Sequence, residues 1–159
     1  MYRKRRFVKM YDEFADDIYR FLFVHVRVET IAEDLAADTF TRAWQNIGTF
    51  DFRYPKAWLY AIARNRLADY WRTLHTVPLE EDFDMPDERE GVEETVDRAL
   101  QSQQIMQGIA QLSHEMGMVV TLRFLQGLSA RETGKVLGMS EGNVRVMQYR
   151  ALKKLKELL

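Results

Sequence analysis

No cysteine occurs anywhere in the 159 residues, which excludes a disulfide framework, a thiolate zinc site and a cysteine nucleophile. The same absence fits a reducing compartment. Long apolar runs are missing too. No stretch approaches the roughly 20 unbroken apolar residues that cross a bilayer, and the basic opening Arg3-Lys4-Arg5-Arg6 is not followed by an apolar signal core. The chain is therefore expected in the cytoplasm, without direct membrane insertion. Histidine is scarce: His25, His75 and His114 are scattered, none at paired metal-ligand spacing, so no metal site is expected. Gly127 and Gly134-Lys135 fail as a phosphate-binding loop, because six residues separate the glycines instead of four and Val136 replaces the required hydroxyl. The sequence offers no cofactor, no small-molecule substrate and no catalytic group, so an enzyme is not expected.

What is present is an ordinary globular composition, 47% apolar and 30% charged, with an unusual distribution of charge. A net charge of -1 would argue against a nucleic-acid binder, since phosphate neutralisation needs clustered cations, but the average conceals segregation. Arg3, Lys4, Arg5, Arg6 and Lys9 open the chain, Arg53, Lys56, Arg64, Arg66 and Arg72 stud its middle, and Arg145, Arg150, Lys153, Lys154 and Lys156 crowd its end. Between the last two groups, Leu79 to Arg98 holds Glu80, Glu81, Asp82, Asp84, Asp87, Glu88, Glu90, Glu93, Glu94 and Asp97 against only Arg89 and Arg98. With Pro78, Pro86 and Gly91, this segment reads as an extended connector. Its charge alone does not separate a solvated linker from an acidic strip that occupies a basic groove or mimics DNA. The expected organisation is a first module over 1–74, a connector over 75–94 and a second module over 95–159.

The rest reads as helix, because apolar residues recur at three- and four-residue intervals without the two-residue alternation of strands. Phe7, Met10, Tyr11, Phe14, Ile18, Phe21 and Leu22 form one stripe; Leu35, Phe40, Ala43, Trp44 and Ile47 a second; Trp58, Leu59, Ile62, Ala63 and Leu67 a third. Gly48 suits the end of the second helix and Pro55 the first turn of the third, which makes the first module a three-helix bundle. Beyond the connector, Val96 to Leu112 predicts a helix, and Ser113 starts another that runs through Phe124 to Gly127. The whole is expected to be all-α: two small helical domains joined by an acidic linker.

The strongest local pattern lies near the end. Ser129-Ala130-Arg131-Glu132 has the form of a capping box, Leu137-Gly138-Met139 forms a turn, and Ser140 caps a longer final helix whose inner face carries Val144, Ala151, Leu155 and Leu158. A short capped helix, a glycine-containing turn and a second helix with one basic face is a helix-turn-helix. Its second helix enters the major groove, where base edges present distinct donors and acceptors. Arg145, Val146, Tyr149 and Arg150 have the spacing of an exposed face. The competing reading of this segment is an amphipathic helical hairpin with a solvated basic side.

Gly127-Leu128-Ser129-Ala130-Arg131-Glu132 through Ser140-Glu141-Gly142-Asn143-Val144-Arg145 and Tyr149-Arg150-Ala151-Leu152-Lys153-Lys154-Leu155 resembles the C-terminal domain of extracytoplasmic-function sigma factors. The first module is similar independently. Ala32-Glu33-Asp34-Leu35-Ala36-Ala37-Asp38-Thr39-Phe40-Thr41-Arg42-Ala43-Trp44 resembles the family's polymerase-docking helix, and Ala57-Trp58-Leu59-Tyr60-Ala61-Ile62-Ala63-Arg64-Asn65 its promoter-melting segment. The resemblance implies an alternative sigma factor that binds core RNA polymerase through Glu33, Asp34, Leu35, Asp38 and Arg42. It implies capture of the opened minus-10 strand by Arg53, Lys56, Tyr60, Arg64, Asn65, Arg66 and Arg72, where cations among aromatic side chains suit single-stranded DNA. It further implies contact with the minus-35 duplex through Arg131, Ser140, Asn143, Arg145, Val146, Tyr149, Arg150 and Lys153. An anti-sigma protein is a typical partner of the family.

Some positions depart from the family pattern: Gly134 replaces the usual Ala of the bracing helix, Ala37 a polar residue of the docking helix, and Met147 and Gln148 stand where a polar and an aliphatic residue are frequent. The alternative function is a stand-alone helix-turn-helix repressor or activator. It accounts for the second module alone and predicts paired half-sites read by a dimer. A sigma factor predicts one copy on two different elements.

Overall fold

The structure is a computed structural model that describes residues 2–50, 53–76 and 96–159. Among them no strand occurs, and the described helices belong to two compact units. The expected connector over 75–94 falls almost wholly outside the described residues.

The first unit packs three helices pairwise: α1, Tyr2–Val26; α2, Glu29–Gln45; and α3, Pro55–Thr76. Met10, Phe14, Ile18, Phe21 and Leu22 repeat at three- and four-residue steps along α1 and are buried, so one stripe faces the core. Ala32, Thr39, Phe40 and Ala43 do the same on α2. The buried hydroxyl of Thr39 donates to the Leu35 carbonyl at 2.7 Å, which satisfies it within its own helix. The junction between α1 and α2 is abrupt. Arg27 adopts a left-handed conformation, φ 58°, and its amide donates to the Phe23 carbonyl at 2.7 Å, the bond that closes a helix C-terminus. A side chain in that region costs about 1 kcal/mol.

At the far end of α2 the structure corrects the sequence expectation. The helix stops at Asn46, whose side-chain amide donates to the Arg42 carbonyl at 2.9 Å, and Gly48 lies in the 3-10 turn Ile47–Thr49 that follows. Pro55 opens α3 as expected, at a position where its missing N–H has no intrahelical partner to lose. The α3 stripe is rotated from the expected one: Ala57, Leu59, Tyr60, Ala63 and Leu67 are buried, while Trp58 is half-buried and stacks on Phe50 at 4.2 Å between ring centroids, the planes 11° apart.

The second unit contains α4, Val96–Gln111; α5, His114–Val120; α6, Ala130–Leu137, as far as Gly134; and α7, Glu141–Leu158. Its core includes Ile109, Leu112, Met118, Val119, Leu122, Leu128, Val144, Ala151 and Leu155. The three predicted serine caps are present. The Oγ of Ser113 accepts from the Met116 amide at 3.2 Å, that of Ser129 from the Glu132 amide at 3.0 Å, and that of Ser140 from the Asn143 amide at 3.1 Å. The Glu132 carboxylate completes the capping box by accepting from the Ser129 amide at 3.0 Å.

One feature of this unit is absent from the sequence reading. The helix started by Ser113 does not continue as α-helix to Gly127; after Val120 it widens into a π-helical turn, Thr121–Leu125. The Gln126 amide reaches back to the Thr121 carbonyl and the Leu128 amide to the Leu122 carbonyl, each at 2.9 Å. Within the core, the Thr121 hydroxyl lies 3.0 Å from the Gly117 carbonyl and 3.1 Å from that of Met118, and side-chain bonding of this kind perturbs the regular ladder. Gly127 then takes φ 71° and releases the chain into the loop before α6.

Candidate nucleic-acid interface

The two helices of the motif meet at a tight turn. Gly138 has φ 68°, which only glycine adopts without strain, and the Met139 amide donates to the Gly134 carbonyl at 2.9 Å. A Cβ on Gly134 would stand 2.5 Å from the Met139 carbonyl oxygen. The glycine that departs from the family pattern is therefore required by the close approach of this turn to α6.

Burial fixes the rotation of α7. Val144, Ala151 and Leu155 point inward, Met147 and Gln148 flank them, and Asn143, Arg145, Val146, Tyr149, Arg150 and Lys153 are exposed. Tyr149 is 70% exposed and Val146 50%, and Leu152 and Leu158 are exposed on the same helix, so Leu158 does not join the inner face expected for it. Arg145 extends along the helix, its guanidinium 2.7 Å from the Glu141 carboxylate one turn earlier. An exposed pair of this kind is worth only a few tenths of a kcal/mol, so the arginine can exchange it for an outside acceptor. Arg131 is exposed in the first turn of α6. Ser140 is exposed, with its hydroxyl engaged in the cap. The expected minus-35 residues thus lie at the N-terminus of α6 and on the outer side of α7.

Gln148 has a defined role. Its Oε1 accepts from Arg123 Nε at 2.9 Å, and Arg123 Nη1 donates to the Leu128 carbonyl at 2.7 Å. Neither residue was among the expected site residues. A glutamine at a helix flank and an arginine in an apolar helix carry no spacing signal, since the contact joins residues 25 positions apart.

On the first unit the expected residues divide. In α2, Glu33 and Asp34 are exposed and Leu35 is half-buried. Asp38 is partly occupied: one carboxylate oxygen lies 3.5 Å from Arg42 on the same helix and 3.7 Å from Arg66 on α3. In α3, Trp58, Asn65 and Arg72 follow one another at seven-residue steps, so they share a face. Asn65 is exposed, and Arg72 is 77% exposed while paired with Asp69. Arg53 is exposed just before the helix, and Lys56 and Arg64 are half-buried off that face.

Two expected minus-10 contacts are corrected. Tyr60 is fully buried, its ring edge-on to Phe21 at 5.2 Å, so it stacks in the core and is withheld from a base. Burial, reinforced by the Asp17 carboxylate and eased by Arg20, raises its pKa well above the usual phenol value. Arg66 is only 16% exposed and turns toward α2, 2.8 Å from Asp69 and 3.7 Å from Asp38. It braces two helices and is not placed to follow a phosphate chain. Helical phase favoured both outcomes, because Tyr60, Ala63 and Leu67 form an inward stripe.

Among the described residues, no group of His, Cys, Asp or Glu could hold a metal ion, and no helix is long and apolar enough to cross a membrane.

Comparison with known proteins agrees with this division. Residues 10–76 match Sigma-70 region 2, and residues 108–157 match Sigma-70, region 4. The ECF RNA polymerase sigma factor BldN of Streptomyces coelicolor is 37% identical over 158 residues, covering 96% of this chain and 60% of BldN. The chain thus spans less than two thirds of that relative. The ECF RNA polymerase sigma factor SigX of Bacillus subtilis is 33% identical over 159 residues, covering 95% of this chain and 82% of SigX. Among solved structures, the sigma factor RpoE in its complex with the anti-sigma factor NepR from Bartonella quintana has the same fold, with a TM-score of 0.76 at 22% identity over 97% of this chain and 96% of that one.

Proposed function

The chain belongs to the extracytoplasmic-function family of alternative sigma factors, and we propose that it divides promoter recognition between its two units, with the polymerase supplying the chemistry. The first unit, within residues 1–74, docks on core RNA polymerase through the exposed acidic strip of α2, Glu33 and Asp34, with Leu35, Asp38 and Arg42 beside it. The same unit holds the opened minus-10 strand through Arg53, Lys56, Arg64, Asn65 and Arg72. Exposed Asn65 offers both donors and an acceptor to an unpaired base, while cations follow the phosphates.

The second unit, within residues 95–159, lays α7 in the major groove of the minus-35 element. Arg145, Val146, Tyr149 and Arg150 face base edges there, and Arg131, Ser140, Asn143 and Lys153 lie toward the backbone. The connector over 75–94 sets their reach. An anti-sigma protein would act by covering these same faces.

The observation that carries this reading is the presence of both a region 2 and a region 4 match, in that order, on one chain. A stand-alone helix-turn-helix regulator uses only the second and leaves the exposed acids of α2 without a purpose.

Co-elution with bacterial core RNA polymerase tests it. The wild-type chain is expected to co-elute, and the Glu33→Arg, Asp34→Arg double variant to lose the association while keeping its circular dichroism spectrum. Asp38 is left intact because it braces Arg66. Absence of association by the folded wild type overturns the proposal.

A further inference from the structure

The guanidinium of Arg123 touches three pieces of the second unit at once. It originates in the π-helical turn Thr121–Leu125, its Nη1 donates to the carbonyl of Leu128 immediately before the capping serine of α6, and its Nε donates to the side chain of Gln148 midway along α7. Both bonds are partly buried, where a hydrogen bond is stronger than in water and its loss leaves a polar group unpaired.

Gln148 directly precedes Tyr149 and lies one turn beyond Arg145, both of which α7 exposes. A contact that pins Gln148 pins the rotation of that face. Helix radius with side chains is roughly 5–6 Å, so a rotation of about 20° would carry a groove-facing side chain about 2 Å sideways. That displacement exceeds the tolerance of a directed hydrogen bond to a base edge.

The π-helical turn has a place in the same arrangement. By accommodating one more residue than an α-turn, it lets Leu122 remain in the core while Arg123 reaches Leu128 and Gln148, and while Phe124 and Leu125 turn outward.

We propose that Arg123 is a positioning residue for promoter recognition: it locks the rotation of α7 against the π-helical turn and against the start of α6, and so sets which base edges the exposed face meets. The proposal rests on the reading of α7 as the duplex-reading helix. Only an arginine can serve both acceptors, because its planar fork directs two N–H groups at fixed angles, whereas a lysine has one ammonium on a flexible stem. Gln148 is required as an acceptor and not as an amide, so glutamate can replace it.

The test uses the full-length chain bound to core polymerase. A minus-35 duplex is first selected from random sequence with the wild-type holoenzyme. Binding to that duplex and to a base-substituted copy is then compared for wild type, Arg123→Lys, Gln148→Leu and Gln148→Glu, with thermal melting and polymerase affinity measured alongside. Arg123→Lys and Gln148→Leu are expected to lower the ratio of specific to substituted binding on the order of tenfold, the worth of one good base contact. Affinity for the substituted duplex, its salt dependence and polymerase binding should stay near wild type, and Gln148→Glu should keep the wild-type ratio.

A wild-type ratio in folded Arg123→Lys and Gln148→Leu overturns the positioning role, as does a Gln148→Glu variant that behaves like Gln148→Leu. If Arg123→Lys melts too low to measure, the two Gln148 variants decide between these outcomes. A wild-type holoenzyme with no preference between the duplexes overturns the duplex-reading assignment itself, and the positioning role with it.

Discussion

Replacing Gly134 with alanine sets two physical effects against each other, and the structure decides between them. In an exposed helix the substitution would stabilise by about 1 kcal/mol, because glycine loses more backbone entropy on folding. Here the new Cβ would stand 2.5 Å from the Met139 carbonyl oxygen, whereas real Cβ contacts essentially never fall below 3.0 Å. The turn must therefore open by at least 0.5 Å, the difference of those two distances. The obstacle is backbone, and Met139 is itself held by its bond to the Gly134 carbonyl and by the Ser140 cap that follows.

Overpacking of this kind costs about 1–3 kcal/mol, and an obstacle that is backbone places it in the upper part of that range. The net expectation is a loss of about 1–2 kcal/mol, which for a domain of this size lowers the melting temperature by roughly 4–8 °C per kcal/mol. The assay has a built-in control, since Trp44, Trp58 and Trp71 are all the tryptophans of the chain and all lie in the first unit. Far-ultraviolet circular dichroism of Gly134→Ala should show part of the helical signal melting earlier, while tryptophan fluorescence keeps its wild-type transition. A variant more stable than wild type by about 1 kcal/mol would refute the reasoning, because propensity alone would then have governed the site.

Two further outcomes follow from buried polar groups. Thr133 is fully buried and its hydroxyl has no hydrogen-bond partner among the described residues, so the near-isosteric Thr133→Val should be neutral or stabilising by up to about 1 kcal/mol in chemical denaturation; a loss larger than that would show that the hydroxyl is satisfied. Burial raises the Tyr60 pKa in the folded chain, while the unfolded chain releases that proton near pH 10, at about the model-phenol value. The unfolded state then binds fewer protons, so the contribution is intact below about pH 10 and is lost as pH rises. Between about pH 10 and pH 11, wild type should lose about 1 kcal/mol more stability than Tyr60→Phe in urea unfolding; equal losses would mean that the phenol ionises as readily folded as unfolded.

These cases also show which information was legible in the chain. Caps and turns were, because their chemistry is local: Ser113, Ser129 with Glu132, Ser140 and Gly138 each act within a few residues of their own position, and each does what its neighbours in sequence imply. The core stripe of α1 was largely legible for the same reason, whereas that of α3 was read out of phase, with Tyr60 buried where Trp58 was expected. The end of α2 was less so, because Asn46 and Gly48 are both acceptable stops and the choice depends on how Ile47, which is buried, meets the core. The π-helical turn left no trace in the periodicity of Val119, Leu122 and Phe124. Beside the local bonds of the Thr121 hydroxyl, the turn is accompanied by tertiary features, the burial of Leu122 and the bonds of Arg123 to groups on two other segments.

Cations show the limit of the sequence most clearly. Arg66 and Arg72 lie six residues apart on one helix and look interchangeable as phosphate contacts, yet Arg66 is a brace between α2 and α3 while Arg72 extends into solvent. Arg123 and Arg145 divide in the same way in the second unit, one tying segments together and the other paired only with a neighbour on its own exposed helix. Counting basic residues therefore overstates the charge available to DNA, because in each unit an arginine is used to hold the surface on which the others stand. Since phosphate contacts supply most sequence-independent affinity, Arg66 and Arg123 would add to it only indirectly under the proposed division of labour, through the surfaces they hold in place.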